Sequence, residues 1–384
     1  MAHACVQQNP ASRVARGCLV TLVLVSCLLL ISSQAGAQTA LANLANSMQP
    51  GTWAALTTIN INPTLSDPLG ASGFIITYTE YIKWDPVSRR LYFLGGDHYL
   101  SGTPVMRHVQ YDEATNTWSI LPQQSWFTVF ASHGYDHGAL DPVHRYFYFR
   151  PPGDLTMHRW NIDTGVWTDM PQNTTIQYNA CCVGIDYFPE MKGVIWISDE
   201  NNNLGGVTRL DDATVQWTRV GQAATYQMGG YHNFAEYNPV YKVVVFGGGN
   251  PATSPSDSRK MWKLDATGRI TALQDAPVDL GTTHTIFTVD PVSGDYLVFT
   301  ENNQFYVYNV ATDQWTLRAS GSTVPIWTTN YGDPVMEVVA GPISTYGVNV
   351  FVTCDGSRGC KVNLYKHSRG STTTPNVPPR FILN

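Results

Sequence analysis

The chain has 384 residues, of which 43% are hydrophobic, 12% aromatic and only 14% charged, with a formal net charge of −6. So acidic and sparsely charged a chain is a poor match for nucleic acid or an anionic membrane surface, both of which call for clustered cations. Its 32 glycines and 11 tryptophans suit an all-β extracellular fold with many turns.

In chain order, the first segment reads as a leader. Arg13 and Arg16 precede an apolar run from Cys18 to Ile31, and Ala35-Gly36-Ala37 supplies the small residues of a cleavage site. The reading assigns residues 1–37 to a signal peptide and expects a secreted or periplasmic protein with no membrane span, since no later run reaches the roughly 20 apolar residues that a crossing needs. Removing those two arginines from 23 basic residues leaves 21 against 29 acidic ones, a net charge near −8. Gly51 to Leu56, with Trp53 inside it, looks like a strand without a sheet of its own.

A repeated unit follows. Asp85-Pro86, Asp141-Pro142, Phe188-Pro189, Asn238-Pro239 and Asp290-Pro291 each precede a β-branched or aromatic run such as Leu91–Leu94 or Val243–Phe246. Further on in the units an apolar residue precedes Asp or Asn, a polar turn follows, and Trp lies seven positions beyond: Tyr111 to Trp118, Trp160 to Trp167, Leu210 to Trp217 and Tyr308 to Trp315. Leu264 to Ile270 is a version one residue shorter. Each unit is predicted to be four strands, a to d, forming one blade. The sixth unit, from Gly341-Pro342 onward, has no terminal Trp, and the strand at Gly51–Leu56 supplies the missing piece. The prediction is an all-β, six-bladed β-propeller of four-stranded antiparallel blades over residues 38–367, closed by its N-terminal strand, with a flexible polar tail at 368–384.

Gly95-Gly96 and Gly247-Gly248 after strand b, with the aromatic and Trp at fixed spacing, resemble kelch repeats, although only these two blades keep the double glycine. The resemblance implies the fold of the central propeller of galactose oxidase and the kelch superfamily. It does not imply one function, because such propellers serve as enzymes and as binding scaffolds.

Function is sought where strands a begin and where strands b and c are joined, since those loops share one face around the channel. Six positions before the turn residue stand Thr79, Tyr135, Cys182, His232, His284 and Val335, and His133 and His137 flank Tyr135 by two. His98 follows Gly95-Gly96-Asp97 on the same rim. Three chemistries can use this set. The first is β-elimination on a uronic-acid polysaccharide. Here His137, His232, Tyr231 and Tyr135 move protons, Arg150 neutralises the sugar acid, and His98, His133, His284 and Trp327 line the site. The ingredients are similar to those of secreted propeller polysaccharide lyases. The second is metal chemistry, in which His137, His232 and His284 hold a divalent ion. Tyr231-His232 also resembles the Tyr–His pair of copper radical oxidases, with Cys182, Tyr226 or Tyr135 and His284 in the remaining roles. The third is no catalysis, with Tyr99, Trp126, Phe127, Tyr135 and Trp327 stacking on a glycan or meeting a protein. The expected partner is an acidic polysaccharide or another glycan, and the expected state is a monomer.

Two smaller expectations concern cysteine and asparagine. Cys354 and Cys360 are predicted to bridge across a turn, and adjacent Cys181 and Cys182 either stay reduced or form a vicinal ring. Asn173-Thr174-Thr175 has the form of a glycosylation sequon.

Overall fold

The structure is a computed structural model, and it describes residues 38–97, 106–129, 133–176, 182–198, 205–222, 225–282, 284–320, 326, 337–356 and 359–369. Contacts divide the chain into a unit of residues 1–39 and one of residues 40–384, and the second carries every element below. The leader assigned to residues 1–37 lies outside the described residues, as do His98, Tyr99, Cys181, Trp327 and residues 370–384.

Six four-stranded antiparallel sheets follow one another. Blade one is β2 (Lys83–Asp85), β3 (Arg90–Gly95), β4 (Arg107–Asp112) and β5 (Thr117–Ile120). Blade two is β6 (Gly138–Asp141), β7 (Tyr146–Phe149), β8 (His158–Asn161) and β9 (Val166–Asp169). Blade three is β10 (Gly184–Phe188), β11 (Gly193–Ser198), β12 (Gly206–Asp211) and β13 (Trp217–Gln222). Blade four is β14 (Asn233–Asn238), β15 (Val243–Gly248), β16 (Met261–Asp265) and β17 (Ile270–Ala272). Blade five is β18 (Thr285–Val289), β19 (Asp295–Thr300), β20 (Gln304–Asn309) and β21 (Gln314–Ser320). Blade six is β22 (Val338–Ile343), β23 (Val348–Asp355) and β24 (Gly359–Lys366), completed by β1 (Thr52–Leu56). β1 pairs with β24 from Thr52 opposite Lys366 to Leu56 opposite Val362, so the ring is closed by its own N-terminal strand.

The repeat spacing has a register cause. Tyr111 stands directly opposite Trp118, Trp160 opposite Trp167, Leu210 opposite Trp217 and Tyr308 opposite Trp315. A strand end, a polar turn and a strand start fill the six positions between the two partners. Each turn is held by an Asp or Asn side chain that accepts main-chain N–H bonds two and three residues on, as Asp112 does from Ala114 and Thr115 and Asn309 from Ala311 and Thr312. Asp85, Asp141 and Asn238 do the same in the turns from strand a to strand b.

The inner strands also meet one another. Tyr81 bridges in parallel to Ala340, Thr79 to Tyr135 and Asp136 to Gly184, linking blades six, one, two and three around the axis. Glycine allows this approach. A methyl group at Gly138 would run into the Tyr81 ring, one at Gly184 into the Phe234 main chain, and one at Gly341 into the Ile82 carbonyl oxygen. The apolar core fills the spaces between blades, and Trp53 of β1 packs 5.1 Å from Phe351 and 4.6 Å from Tyr365. Helix α1 (Ala40–Ser47) buries Leu41 and Ala45 in the cluster shared by blades six, one and two. Cys354 and Cys360 form the expected disulfide across the β23–β24 turn. Ser368 and Arg369, assigned by sequence to the flexible tail, lie among the described residues, where Arg369 donates to Tyr241 at 2.8 Å and reaches Asp295 at 3.3 Å.

Candidate functional site

The approaches to strands a of blades one, two, four and five bring their rings together at the mouth of the axis. Tyr78 lies 4.6 Å from His133 and 6.0 Å from His232 between ring centroids. Tyr135 lies 5.4 Å from His133, 5.4 Å from His137 and 5.9 Å from His232, nearly parallel to the last. Blade one faces blade four across a ring of six, so the contact of His232 with Tyr78 spans the channel, and its contact with Tyr135 joins blades four and two past the entry of blade three. The main chain supports them: Tyr135 N–H donates to the Tyr78 carbonyl at 2.8 Å, and Glu80 N–H donates to the Tyr135 carbonyl at 3.1 Å.

Four of these aromatic positions are in the left-handed region, with φ of 53° at Tyr78, 43° at Tyr135, 60° at Tyr231 and 57° at His232. Many other non-glycine residues of that kind sit in turns between strands, such as Arg89, Arg145, Lys192 and Lys242. Bulky side chains pay of order 1 kcal/mol or more for this conformation, and its concentration at one mouth is the mark of geometry imposed by the surroundings.

The histidines divide by their partners. His137 is fully buried, and its Nδ1 faces the Arg150 carbonyl at 2.8 Å while Nε2 faces the Val183 N–H at 3.0 Å. A carbonyl only accepts and an amide N–H only donates, so the ring is the neutral Nδ1–H form and both nitrogens are occupied. Burial first, and the nearby Arg150 charge second, hold its proton affinity well below the ordinary value. His133, also buried, shares one Nδ1–H between the carbonyls of Thr77 at 3.0 Å and Gly96 at 3.1 Å. His232 differs. Its Nδ1 is buried without a hydrogen-bond partner, and burial with the neighbouring His284 lowers its pKa to about 4. His284 is partly exposed and stands 3.1 Å from Glu301. Tyr231 is 43% exposed and is the one aromatic ring among the exposed large apolar side chains described.

Of the residues singled out from sequence, the fold thus gathers Tyr135, His133, His137 and His232, with His284 beside His232. Arg150 lies beside His137 but inside the fold: it is fully buried, its Nε donates to the Asp154 carbonyl at 2.7 Å, and its guanidinium covers Trp196 at 4.7 Å. His98 and Trp327 lie outside the described residues. The metal candidates His137, His232 and His284 do not form a closed set. The one group of three His, Cys, Asp or Glu ligand atoms within 4.8 Å of one another among the described residues is Asp141, His144 and Asp212, at the strand a–b turn on the opposite side of blade two. Trp126 stacks on His158 at 3.9 Å and Phe127 is buried, so both pack under their loop. Tyr226 is buried too, its hydroxyl donating to the Ser198 carbonyl. Cys182 is buried and disulfide-bonded. Asn173 of the sequon is fully buried and donates to Thr208 at 2.8 Å, which leaves its amide nitrogen inaccessible to a glycan.

Sequence reasoning missed Tyr78, the partner Glu301, and a set of charges deeper on the axis: Glu80, Lys83, Asp136, Asp186 and Glu236. Their signal was present in the same alignment, because each is an ionisable residue in or just before a strand a that is otherwise apolar.

No family model matches the chain, and no curated protein does. Solved structures do. A fungal alcohol oxidase of the AA5 family, in complex with copper, is 10% identical, with 83% of this chain and 77% of that one covered and a TM-score of 0.50. A structural-genomics protein of unknown function from Bacteroides thetaiotaomicron is 10% identical, with 82% and 75% covered and a TM-score of 0.51. A nidogen/laminin complex gives 11% identity, 61% and 77% coverage and a TM-score of 0.43. At these identities the likeness is one of fold alone: this chain is a six-bladed β-propeller. No described helix is long and apolar enough to cross a membrane, and the disulfide is consistent with an oxidising compartment.

Proposed function

We propose that this chain is an exported, kelch-like propeller that acts on an acidic polysaccharide at the mouth of its axis, by β-elimination from a uronic-acid residue. The observation that carries the reading is the pairing of His232 with Tyr135 past the entry of blade three, 5.9 Å apart between rings, with His232 free of hydrogen bonds at Nδ1 and neutral at physiological pH.

In this reading His232 is the base. It removes the proton from C5 of the sugar, the C5–H electron pair becomes the C4–C5 double bond, and the C4–O bond breaks. Tyr135 supplies a proton to the departing oxygen. General acid–base transfer of this kind contributes about 10²–10⁴-fold in rate. An imidazole with a pKa near 4 is a weak base in the free protein, and the approach of a sugar carboxylate raises its proton affinity toward the working pH. His284, close enough to His232 to depress it, is the second imidazole beside that carboxylate. His137 has no nitrogen to spare, and its part is to hold the Arg150 and Val183 main chain that carries the mouth. Tyr231 offers an exposed face for a sugar ring.

That exposed ring equally favours a second reading, a glycan-binding module without turnover. A panel of uronic-acid polymers and glycosaminoglycans, followed in the ultraviolet band of unsaturated uronates, separates the two. The lyase reading expects a rise with one polymer class, lost in His232→Ala and reduced about 10²-fold or more in Tyr135→Phe. Binding that survives both changes, with no unsaturated product from wild-type protein, selects the module.

A further inference from the structure

Below the mouth, the axis holds charges that proton transfer does not use. Glu80, Asp136, Asp186 and Glu236 come from four successive blades, and none is more than 8% exposed. Lys83 of blade one reaches Asp186 of blade three at 3.0 Å and Glu236 of blade four at 3.5 Å. Contact between opposite blades puts these side chains on the axis itself. Lys83 interacts with three of these carboxylates and pairs with two, Asp186 and Glu236. Of the other two, Asp136 accepts the Ala235 N–H at 2.6 Å and feels the Lys83 charge, and neither Asp136 nor Glu80 lies within ion-pair distance of a described cation.

Thr282, at the approach to strand a of blade five, adds an independent sign. Its side chain is 1% exposed and stands close enough to Glu80 to favour the charged carboxylate, without completing hydrogen-bonding geometry with it. Thr282 Oγ1 and Glu80 Oε1 are both buried and both lack a hydrogen-bond partner. A water molecule alone would satisfy the hydroxyl but leave Glu80 to take up a proton, toward which burial and the neighbouring Asp136 push it, whereas a cation meets the same need and keeps the charge.

We propose that Glu80, Asp136 and Thr282 hold a hard divalent cation of calcium type on the propeller axis. The donors are all oxygen, which selects calcium-like ions over zinc or copper. No three of the axial carboxylates converge within 4.8 Å, so the ion keeps water in part of its shell, as calcium's six to eight ligands allow. Glu80 N–H bonds to the Tyr135 carbonyl and Asp136 follows Tyr135 directly, so the ion fixes the segment that carries the mouth. The site stands whether or not the mouth is a lyase.

Elemental analysis of full-length protein purified without chelator tests this. About one equivalent of divalent metal per chain is expected. Protein unfolded and refolded with a chelator should lose it, and adding calcium should raise the melting temperature by about 5 °C. Glu80→Gln should abolish both, and Asp212→Asn, at the surface His–Asp cluster, should leave both unchanged. Metal-free wild-type protein, melting indifferent to calcium, or a metal equivalent lost in Asp212→Asn would each overturn the assignment. A Glu80→Gln chain that melts higher than wild type, with no metal in either, would overturn it too and would mean that a proton rather than an ion neutralises Glu80.

Discussion

The mouth owes its chemistry to partners that single side chains find on the main chain. His133, Tyr135 and His137 alternate along one segment, yet Nδ1 of His133 is held by carbonyls, both nitrogens of His137 are held by main chain, and His232 of blade four has an unpartnered Nδ1. Alternation revealed that the imidazoles share a neighbourhood. It could not reveal which one keeps a lone pair, because the Val183 N–H and the Thr77 and Gly96 carbonyls belong to distant stretches of chain. The depressed proton affinity of His232 has a definite consequence. The ring stays neutral as pH falls through 6.5 and charges only near 4, so kcat/KM on the free protein should be flat across that window and fall below about pH 4. A pH–rate profile whose acid limb sits near 6.5 would assign the base elsewhere. The same shift works against the fold. Between pH 6.5 and 4 the unfolded chain binds a proton at this site that the native chain does not, so the stability contributed by His232 is full above 6.5 and drains away toward 4. His108, buried among Phe147, Trp160 and Trp167 and lowered to about 3 by burial, acts in the same direction.

At the scale of strands, the spacing of apolar residue, Asp or Asn, and Trp was legible because register and turn chemistry are both local. The close approach of neighbouring inner strands was not, since it depends on what lies across the blade boundary. Gly341 illustrates the point. Its φ is unexceptional, so nothing in its own conformation asks for glycine, but a methyl there meets the Ile82 carbonyl of blade one. Gly341→Ala should destabilise the protein by about 1–3 kcal/mol in denaturant melts, through forced separation of blades six and one. A change within a few tenths of a kcal/mol would show that the inner strands are not in tight contact.

For the molecule as a whole, closure was readable from an unattached strand at one end of the repeat array and a unit lacking its last strand at the other. The axial charges were not, because Lys83 and Glu236 are neighbours only through the ring's geometry. Deleting residues 1–56 removes β1, exposes the edge of β24 and takes Trp53 from between Phe299, Phe351 and Tyr365. The shortened chain should melt several degrees lower and associate on concentration, as light scattering would detect; unchanged melting and a monodisperse monomer would mean that β1 is an accessory to the ring.

In the proposed lyase, closure matters because it brings His232 and Tyr135 to the same sugar. Proton NMR of a short uronic-acid oligosaccharide incubated with the protein in heavy water follows the reacting C–H bond itself. With wild-type protein the C5 proton signal should fade while an olefinic C4 proton appears, and neither should change with His232→Ala. A saccharide that binds, broadening its resonances, yet keeps its C5 proton undiminished in the presence of wild-type protein would contradict proton abstraction at this mouth.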